Sequence, residues 1–262
     1  MGKAFVSGAS SGLGRELALG LKGVDVYVIQ GRDERELNNT RELILTQQPE
    51  AKVFVVLADL SDLNSTKSLV QRIETLNIDF DKVILNAGGG DFGFFKDQGI
   101  EKLISCINLN IVSNTVLLHH FLTRPTRQKP IDVLVISSHA AFMRIPRFAV
   151  YASSKTYLLQ LCKALNLEMS DNSDARITVA CPGAMESKFG RRANIPLMLS
   201  TPAHPGEIAK IIIEQWPRKR VIIPAIMDRL IYWLTPFIPE RLFDRSVFKL
   251  QTKFVDRGVK NA

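Results

Sequence analysis

The feature that most constrains the fold is a repeated exchange between two kinds of segment. Short apolar runs alternate with longer stretches of helical period. The runs fall at Lys3–Val6, Val24–Ile29, Val53–Leu57, Lys82–Leu85, Val133–Ser137, Ile177–Cys181 and Val221–Ile223. Each reads as a continuous apolar run rather than a strict apolar–polar alternation. Runs of this kind suit strands covered on both faces, as in parallel sheets held between helices. Helical patterns lie between them at Leu13–Leu21, Glu34–Gln47, Leu63–Leu76, Lys102–Leu122, Tyr151–Met169 and Ile208–Glu214. Repeated strand–helix units predict an α/β fold: a doubly wound, parallel, seven-stranded sheet with helices on both faces.

Length and charge organise the rest. The chain has 262 residues and is 46% hydrophobic, enough for one large domain. We read residues 1–223 as that domain, with a Pro-containing substrate lid at about 186–204, and 224–262 as an extension. Net charge is +8, but Trp216–Ala262 holds ten Lys/Arg against four Asp/Glu, so residues 1–215 carry only +2. A nearly neutral body excludes a diffuse nucleic-acid footprint. Cys106, Cys162 and Cys181 are far apart with no CxxC, which excludes a disulfide framework or zinc knuckle and suits a reducing cytosol. His119 and His120 have no metal-ligand partner in view, and no metal is expected. The chain runs from Met1 straight into the first strand, leaving no room for a signal peptide, and no run of 18 apolar residues exists. The expected location is cytoplasmic, with the membrane surface as the alternative.

Ser7-Gly8-Ala9-Ser10-Ser11-Gly12-Leu13-Gly14 follows the first strand and opens the first helix. Glycines there let the backbone approach a pyrophosphate, and the helix start offers free N–H groups. The spacing is GxxxGxG. At the end of the second strand, where an NAD site usually carries an acid, stand Gln30-Gly31-Arg32, with Arg15 just after the third glycine. Two guanidiniums suit a ribose 2′-phosphate, although Asp33 sits close enough to compensate. Asp59, in Ala58-Asp59-Leu60, is a candidate for the adenine amino group or for a helix N-cap region.

Tyr151 and Lys155 are four residues apart, so on a helix they share a face. A nearby ammonium favours the phenolate, and a phenol tuned in this way can exchange a proton with a carbonyl oxygen. Ser138 ends the fifth strand, where ligands of open α/β sheets bind. Asn110 lies inside the long helix, where Asn is disfavoured; surface exposure is the simple explanation.

In their order and near-usual spacing, the glycine motif, Asn86-Ala87-Gly88, Asn110, Ser138, Tyr151, Lys155 and Pro182-Gly183 resemble the short-chain dehydrogenase/reductase family. The likeness covers roughly residues 3–190. It implies a Rossmann sheet, a nicotinamide cofactor and the tetrad Asn110, Ser138, Tyr151 and Lys155. Tyr151 would be the general acid for reduction. Lys155 would lower its pKa and hold the nicotinamide ribose, Ser138 would position the carbonyl, and Asn110 would anchor a relay water. Gly8, Ser10, Ser11, Gly12, Leu13, Gly14, Asp59, Leu60, Asn86, Ala87, Gly88, Tyr151, Lys155, Pro182, Gly183 and Ser187 would contact the cofactor. Arg15 and Arg32 match the NADP(H)-preferring pattern. The motif opens with Ser7 where Thr is commoner, and two further glycines, Gly89 and Gly90, extend the fourth-strand turn.

Apolar residues crowd three segments expected near the cleft: Phe92, Phe94 and Phe95; Phe142, Met143, Ile145, Pro146 and Phe148; and Pro196, Leu197, Met198 and Leu199. They point to a small apolar carbonyl substrate, with Arg144 and Arg147 available to an acidic group. In Glu240–Val255, Phe243, Val247, Leu250 and Phe254 repeat with helical period opposite Arg241, Arg245, Lys249 and Lys253. Such a segment suits peripheral membrane contact, a lid or a dimer interface. The family likeness implies a homodimer or homotetramer built on Lys102–Leu122 and Tyr151–Met169. The expected function is NADPH-dependent reduction of an apolar, lipid-like ketone or aldehyde. The alternatives are an NAD-linked alcohol dehydrogenase and a non-enzymatic nucleotide-responsive protein.

Overall fold

The computed structural model describes residues 2–123, 130–169, 174–186, 193, 202–239, 241, 242, 244, 247 and 248. Seven parallel strands form one sheet in the order β3-β2-β1-β4-β5-β6-β7. They are β1 (Gly2–Ser7), β2 (Val24–Gly31), β3 (Lys52–Leu57), β4 (Lys82–Leu85), β5 (Ile131–Ile136), β6 (Ala175–Ala180) and β7 (Val221–Ile222). The order reverses between β1 and β4. At such a switch the loops leaving neighbouring strands diverge and open a crevice at the carboxyl ends.

The continuous apolar runs are explained by burial on two sides. Phe5, Val28, Val83, Val133 and Val135 face one core, packed with Leu69, Ile73, Leu117, Phe121, Leu158 and Leu159. Their strand neighbours Ala4, Val6, Tyr27, Ile29, Ile84, Leu134 and Ile136 face a second core with Leu13, Leu17, Leu37, Ile208 and Ile212. The first core lies under helices α3 (Leu63–Thr75), α5 (Ser113–Thr123) and α6 (Ala149–Glu168). The second lies under α1 (Gly12–Gly20), α2 (Glu34–Gln47) and the helix Pro205–Gln215. β3 departs from the expected double cover: at the sheet edge it leaves Phe54 40% exposed and Leu57 exposed as well.

The long helix expected over Lys102–Leu122 is not continuous. α4 (Ile100–Ile107) passes through a π-helical turn at Asn108–Val112 before α5 begins. A π turn inserts one extra residue and redirects the side chains after it. The carbonyls it loosens are taken up locally: Ser113 Oγ donates to Leu109 O at 2.7 Å, and Asn114 Nδ2 donates to Asn110 O at 3.0 Å. Asp33 caps α2 by accepting from Glu36 N at 3.1 Å, and Asp62 caps α3.

Candidate active site

The glycine turn sits where β1 meets α1, against the end of β4. Gly8 has φ +65°, and a Cβ there would lie 2.8 Å from Asn86 Nδ2. A Cβ on Gly14 would collide with the Gly8 carbonyl and the Asn86 amide. Asn86 Nδ2 donates to Gly8 O at 3.1 Å and to Ser7 O at 3.3 Å. Ser7 Oγ accepts from Asn86 N and Ala87 N at 3.0 and 3.2 Å. A serine hydroxyl therefore suffices at the position where the family more often has Thr. Gln30 Oε1 accepts from Gly8 N, and its Nε2 donates to Ala58 O at 2.8 Å, tying the ends of β1, β2 and β3 together. α1 starts beside this turn, and Ser11, its N-cap, makes no side-chain capping bond. A glycine-bearing turn that opens onto a helix start fits a pyrophosphate.

The four expected catalytic residues converge from three elements. Ser138 follows β5 and accepts from Ala140 N at 3.1 Å. Tyr151 and Lys155 rise from the first turns of α6, and the Tyr151 hydroxyl is hydrogen-bonded to the Ser138 side chain. Lys155 Nζ donates to Ile136 O at 3.0 Å and lies 5.8 Å from the Tyr151 ring centroid. The adjacent Ser137 turns away: its Oγ donates to Lys155 O at 2.7 Å. Asn110 is fully buried in the π turn, so surface exposure does not explain it. Its Oδ1 accepts from Gly89 N at 2.9 Å, while Nδ2 donates to Gly89 O and Ser154 Oγ, both at 2.8 Å. Ser154 Oγ donates in turn to Tyr151 O at 2.7 Å. Asn110 thus fastens the glycine turn after β4 to the helix that carries Tyr151 and Lys155.

Electrostatics differ from the expectation. Burial pushes the Tyr151 phenol up to about 12, with the Ser138 bond opposing it. Burial also brings Lys155 down to about 8. Desolvation of both groups thus outweighs the lowering expected from the neighbouring ammonium. All three cysteine thiols are likewise raised by burial.

Both arginines at the second strand end are paired. Arg15 is largely buried: its Nη2 meets Glu36 Oε2 at 2.7 Å and Nε donates to Thr40 Oγ1 at 3.0 Å. Arg32 Nη1 reaches Asp59 Oδ2 at only 3.5 Å, and its side chain is 54% exposed. Asp33 serves as a cap, so Glu36 and Asp59 are the compensating acids. Burial raises Asp59, but bonds from Ser61 and the charge of Arg32 hold the carboxyl below its ordinary range. A recess of about 300 Å³ lies between Arg32, Leu57, Ala58 and Asp59.

Phe148 stacks on Tyr151, with centroids 4.2 Å apart, and Phe92 lies 6.0 Å beyond it. Phe94 and Phe95 are exposed, and the Arg147 guanidinium sits 4.3 Å over the Phe94 ring. Phe142 packs on Tyr232 at 4.8 Å, and Arg144 pairs with Asp244 at 2.8 Å. His139, as a structural neighbour of Ser138, brings Nδ1 to 3.3 Å from Asp228 Oδ1. A Cβ on Gly183 would also meet Asp228, 2.5 Å from its Oδ2. Ser187, Pro196–Leu199 and most of the expected lid lie outside the described residues, as does much of the Glu240–Val255 pattern. Among the described residues, no cluster of His, Cys, Asp or Glu could hold a metal ion. Sequence reading missed Ser154, Glu36 and Asp228. Helical spacing from Tyr151 and Thr40 could have found the first two; only tertiary packing reveals Asp228.

The sequence model of the short chain dehydrogenase family matches residues 3–196. The chain belongs to that family. The chain is 29% identical over 208 residues to an uncharacterized oxidoreductase of Myxococcus xanthus (strain DK1622), covering 77% of this chain and 79% of the relative. Its fold is similar to that of a short-chain dehydrogenase from Sphingobium yanoikuyae in complex with NADPH. That match has TM-score 0.79 and 23% identity, and covers 92% of this chain and 97% of the other. A short-chain dehydrogenase/reductase from Burkholderia phymatum in complex with NAD matches at TM-score 0.75 and 20% identity, over 90% and 95% of the two chains. The chain is accordingly an oxidoreductase of a family that uses a nicotinamide cofactor, and its glycine cradle fits one.

Proposed function

We propose that this dehydrogenase reduces the carbonyl group of an apolar ketone or aldehyde with NADPH. The observation that carries the reading is the meeting of Tyr151, Ser138 and Lys155 at the carboxyl end of β5, with the Tyr151 hydroxyl bonded to the Ser138 side chain. Burial raises the Tyr151 phenol, so the resting side chain carries a proton, and the Ser138 bond and the Lys155 ammonium favour its release to a substrate oxygen. The turn of Gly8, Gly12 and Gly14 would hold a nicotinamide dinucleotide, which when bound would supply the hydride. The Ser138 hydroxyl holds the substrate oxygen, and Tyr151 gives that oxygen its proton. Lys155 counters the charge left on the phenolate, which then recovers a proton from solvent. The Phe92–Phe148 wall beside Tyr151 favours an apolar substituent on the carbonyl.

Arg32 supports NADPH, because its contact with Asp59 is long and exposed and can be exchanged for a phosphate. The pairing of both arginines with acids supports NAD as the second reading. Comparing Kd for NADPH and NADH separates the two. The homodimer or homotetramer is likewise a proposal, supported by Ile100, Ile104 and Ile107, which are exposed and spaced along one face of α4.

The test is NADPH consumption over a ketone series of increasing chain length, in wild type and Tyr151→Phe. We expect turnover to rise with apolar size and to vanish in the variant while NADPH binding persists. Equal turnover in the variant would remove Tyr151 from the chemistry.

A further inference from the structure

The helix Ile226–Leu234 and the turn after it present two opposite faces. The inner face holds Asp228 and Tyr232, which engage His139 and Phe142. Arg229 anchors its start, with Nε donating to Ile223 O at 2.8 Å and Nη2 to Pro224 O at 3.1 Å. Further along, Asp244 pairs with Arg144. Three contacts therefore fix this extension to the segment between Ser138 and Tyr151.

The outer face is apolar and uncovered. Ile226, Met227, Leu230, Trp233, Leu234 and Phe237 are between 49% and 83% exposed. Their spacing places them in a single stripe along the helix and its following turn. A stripe this continuous marks a surface made to be covered. The charge of the same segment says by what. Residues 224–262 carry seven Lys/Arg against four Asp/Glu. Two of those acids, Asp228 and Asp244, are already paired with the body of the protein. Arg229 and Arg241 are exposed within the segment. A second copy meeting this face would bring two basic segments together and be repelled. An anionic bilayer would attract the cations and accept the indole and phenyl rings at its interface.

We propose that the stripe from Ile226 to Phe237 lies in the surface of an anionic membrane. The helix is nine residues long. No described helix is long and apolar enough to cross a membrane, so contact is in the plane of the interface. Because the inner face of the helix touches His139 and Phe142, docking sets the Ser138–Tyr151 segment beside the lipid.

The experiment is co-sedimentation of the full chain with phosphatidylcholine vesicles, with and without phosphatidylglycerol. It does not read turnover, so its failure leaves the proposed reaction standing. We expect binding to the anionic vesicles only, weakened when salt is raised from about 0.1 M to about 1 M. The double variant Trp233→Glu/Phe237→Glu should lose at least about tenfold in vesicle binding. Phe95→Glu, an exposed aromatic on another loop, should leave binding unchanged. Circular dichroism and NADPH binding report whether the double variant keeps its fold. Three results would overturn the proposal: an intact chain that does not sediment, a double variant that binds like wild type, or a stripe whose change dissolves a dimer without altering vesicle binding.

Discussion

Replacing Lys155 with Met should remove activity and stabilise the fold at neutral pH. The amine is 3% exposed and donates to Ile136 O at 3.0 Å. Its folded pKa of about 8 lies well below the ordinary 10.5. At pH 7 the buried cation therefore costs about 3 kcal/mol relative to the unfolded chain. Methionine fills a similar volume with no charge and forfeits about 1 kcal/mol of hydrogen bonding. The variant should then be about 2 kcal/mol more stable at pH 7, raising Tm by about 5 °C. Above about pH 8 the folded chain releases the lysine proton while the unfolded chain keeps it until about pH 10.5. Wild-type stability should rise through that window relative to the variant, and the order should reverse by about 1 kcal/mol once both states are neutral. Urea denaturation of both proteins at pH 7 and near pH 10.5 measures the gap. A gap that stays constant across that range, or a Met variant weaker at pH 7, would refute the argument from burial.

The other tests are shorter. Arg32→Ala should weaken NADPH binding about tenfold, or about 1.4 kcal/mol, and leave NADH unchanged, read by fluorescence titration. Arg15→Ala should instead lower stability by about 1–2 kcal/mol, because it leaves Glu36 without its 2.7 Å partner. Asn110→Leu should cost about 3 kcal/mol in urea denaturation, since it orphans the Gly89 amide and removes the bond to Ser154. The reduction rate should fall as pH rises through about 8, as Lys155 loses its charge, with no loss from Tyr151 until near 12. A steady-state pH profile with only the second limb would remove Lys155 charge from the mechanism.

Much of the fold was legible because burial on two faces leaves a plain mark. The runs at Val83–Leu85 and Val133–Ile136 place alternate side chains in the two cores, so every position must be apolar. The edge strand β3 has the same composition without the same cover, since its place in the sheet is not encoded in its own residues. The juxtaposition of Tyr151, Lys155 and Ser138 was legible because they lie near one another in sequence. The burial of Asn110 was not legible, because a π turn looks like ordinary helix in a sequence. Pairings across the fold left no local trace: Glu36 on Arg15, Asp228 beside His139 and Asp244 on Arg144. The same holds for the acidity of Tyr151, which depends on how completely other elements cover it.

The reversal of strand order between β1 and β4 has a consequence for assembly. β1, β2 and β3 are close in sequence and can pair as soon as they are made. β1 must then wait for β4, whose Ile84 pairs with Val6 across the whole nucleotide half. Closing so long a loop is the slow kind of step in folding. Asn110, Ser138, Tyr151 and Lys155 lie beyond this seam, on the π turn, after β5 and on α6, so they come together only after the two halves of the sheet have met. Hydrogen exchange during refolding should protect Val28 before Ile84, and simultaneous protection would contradict this order.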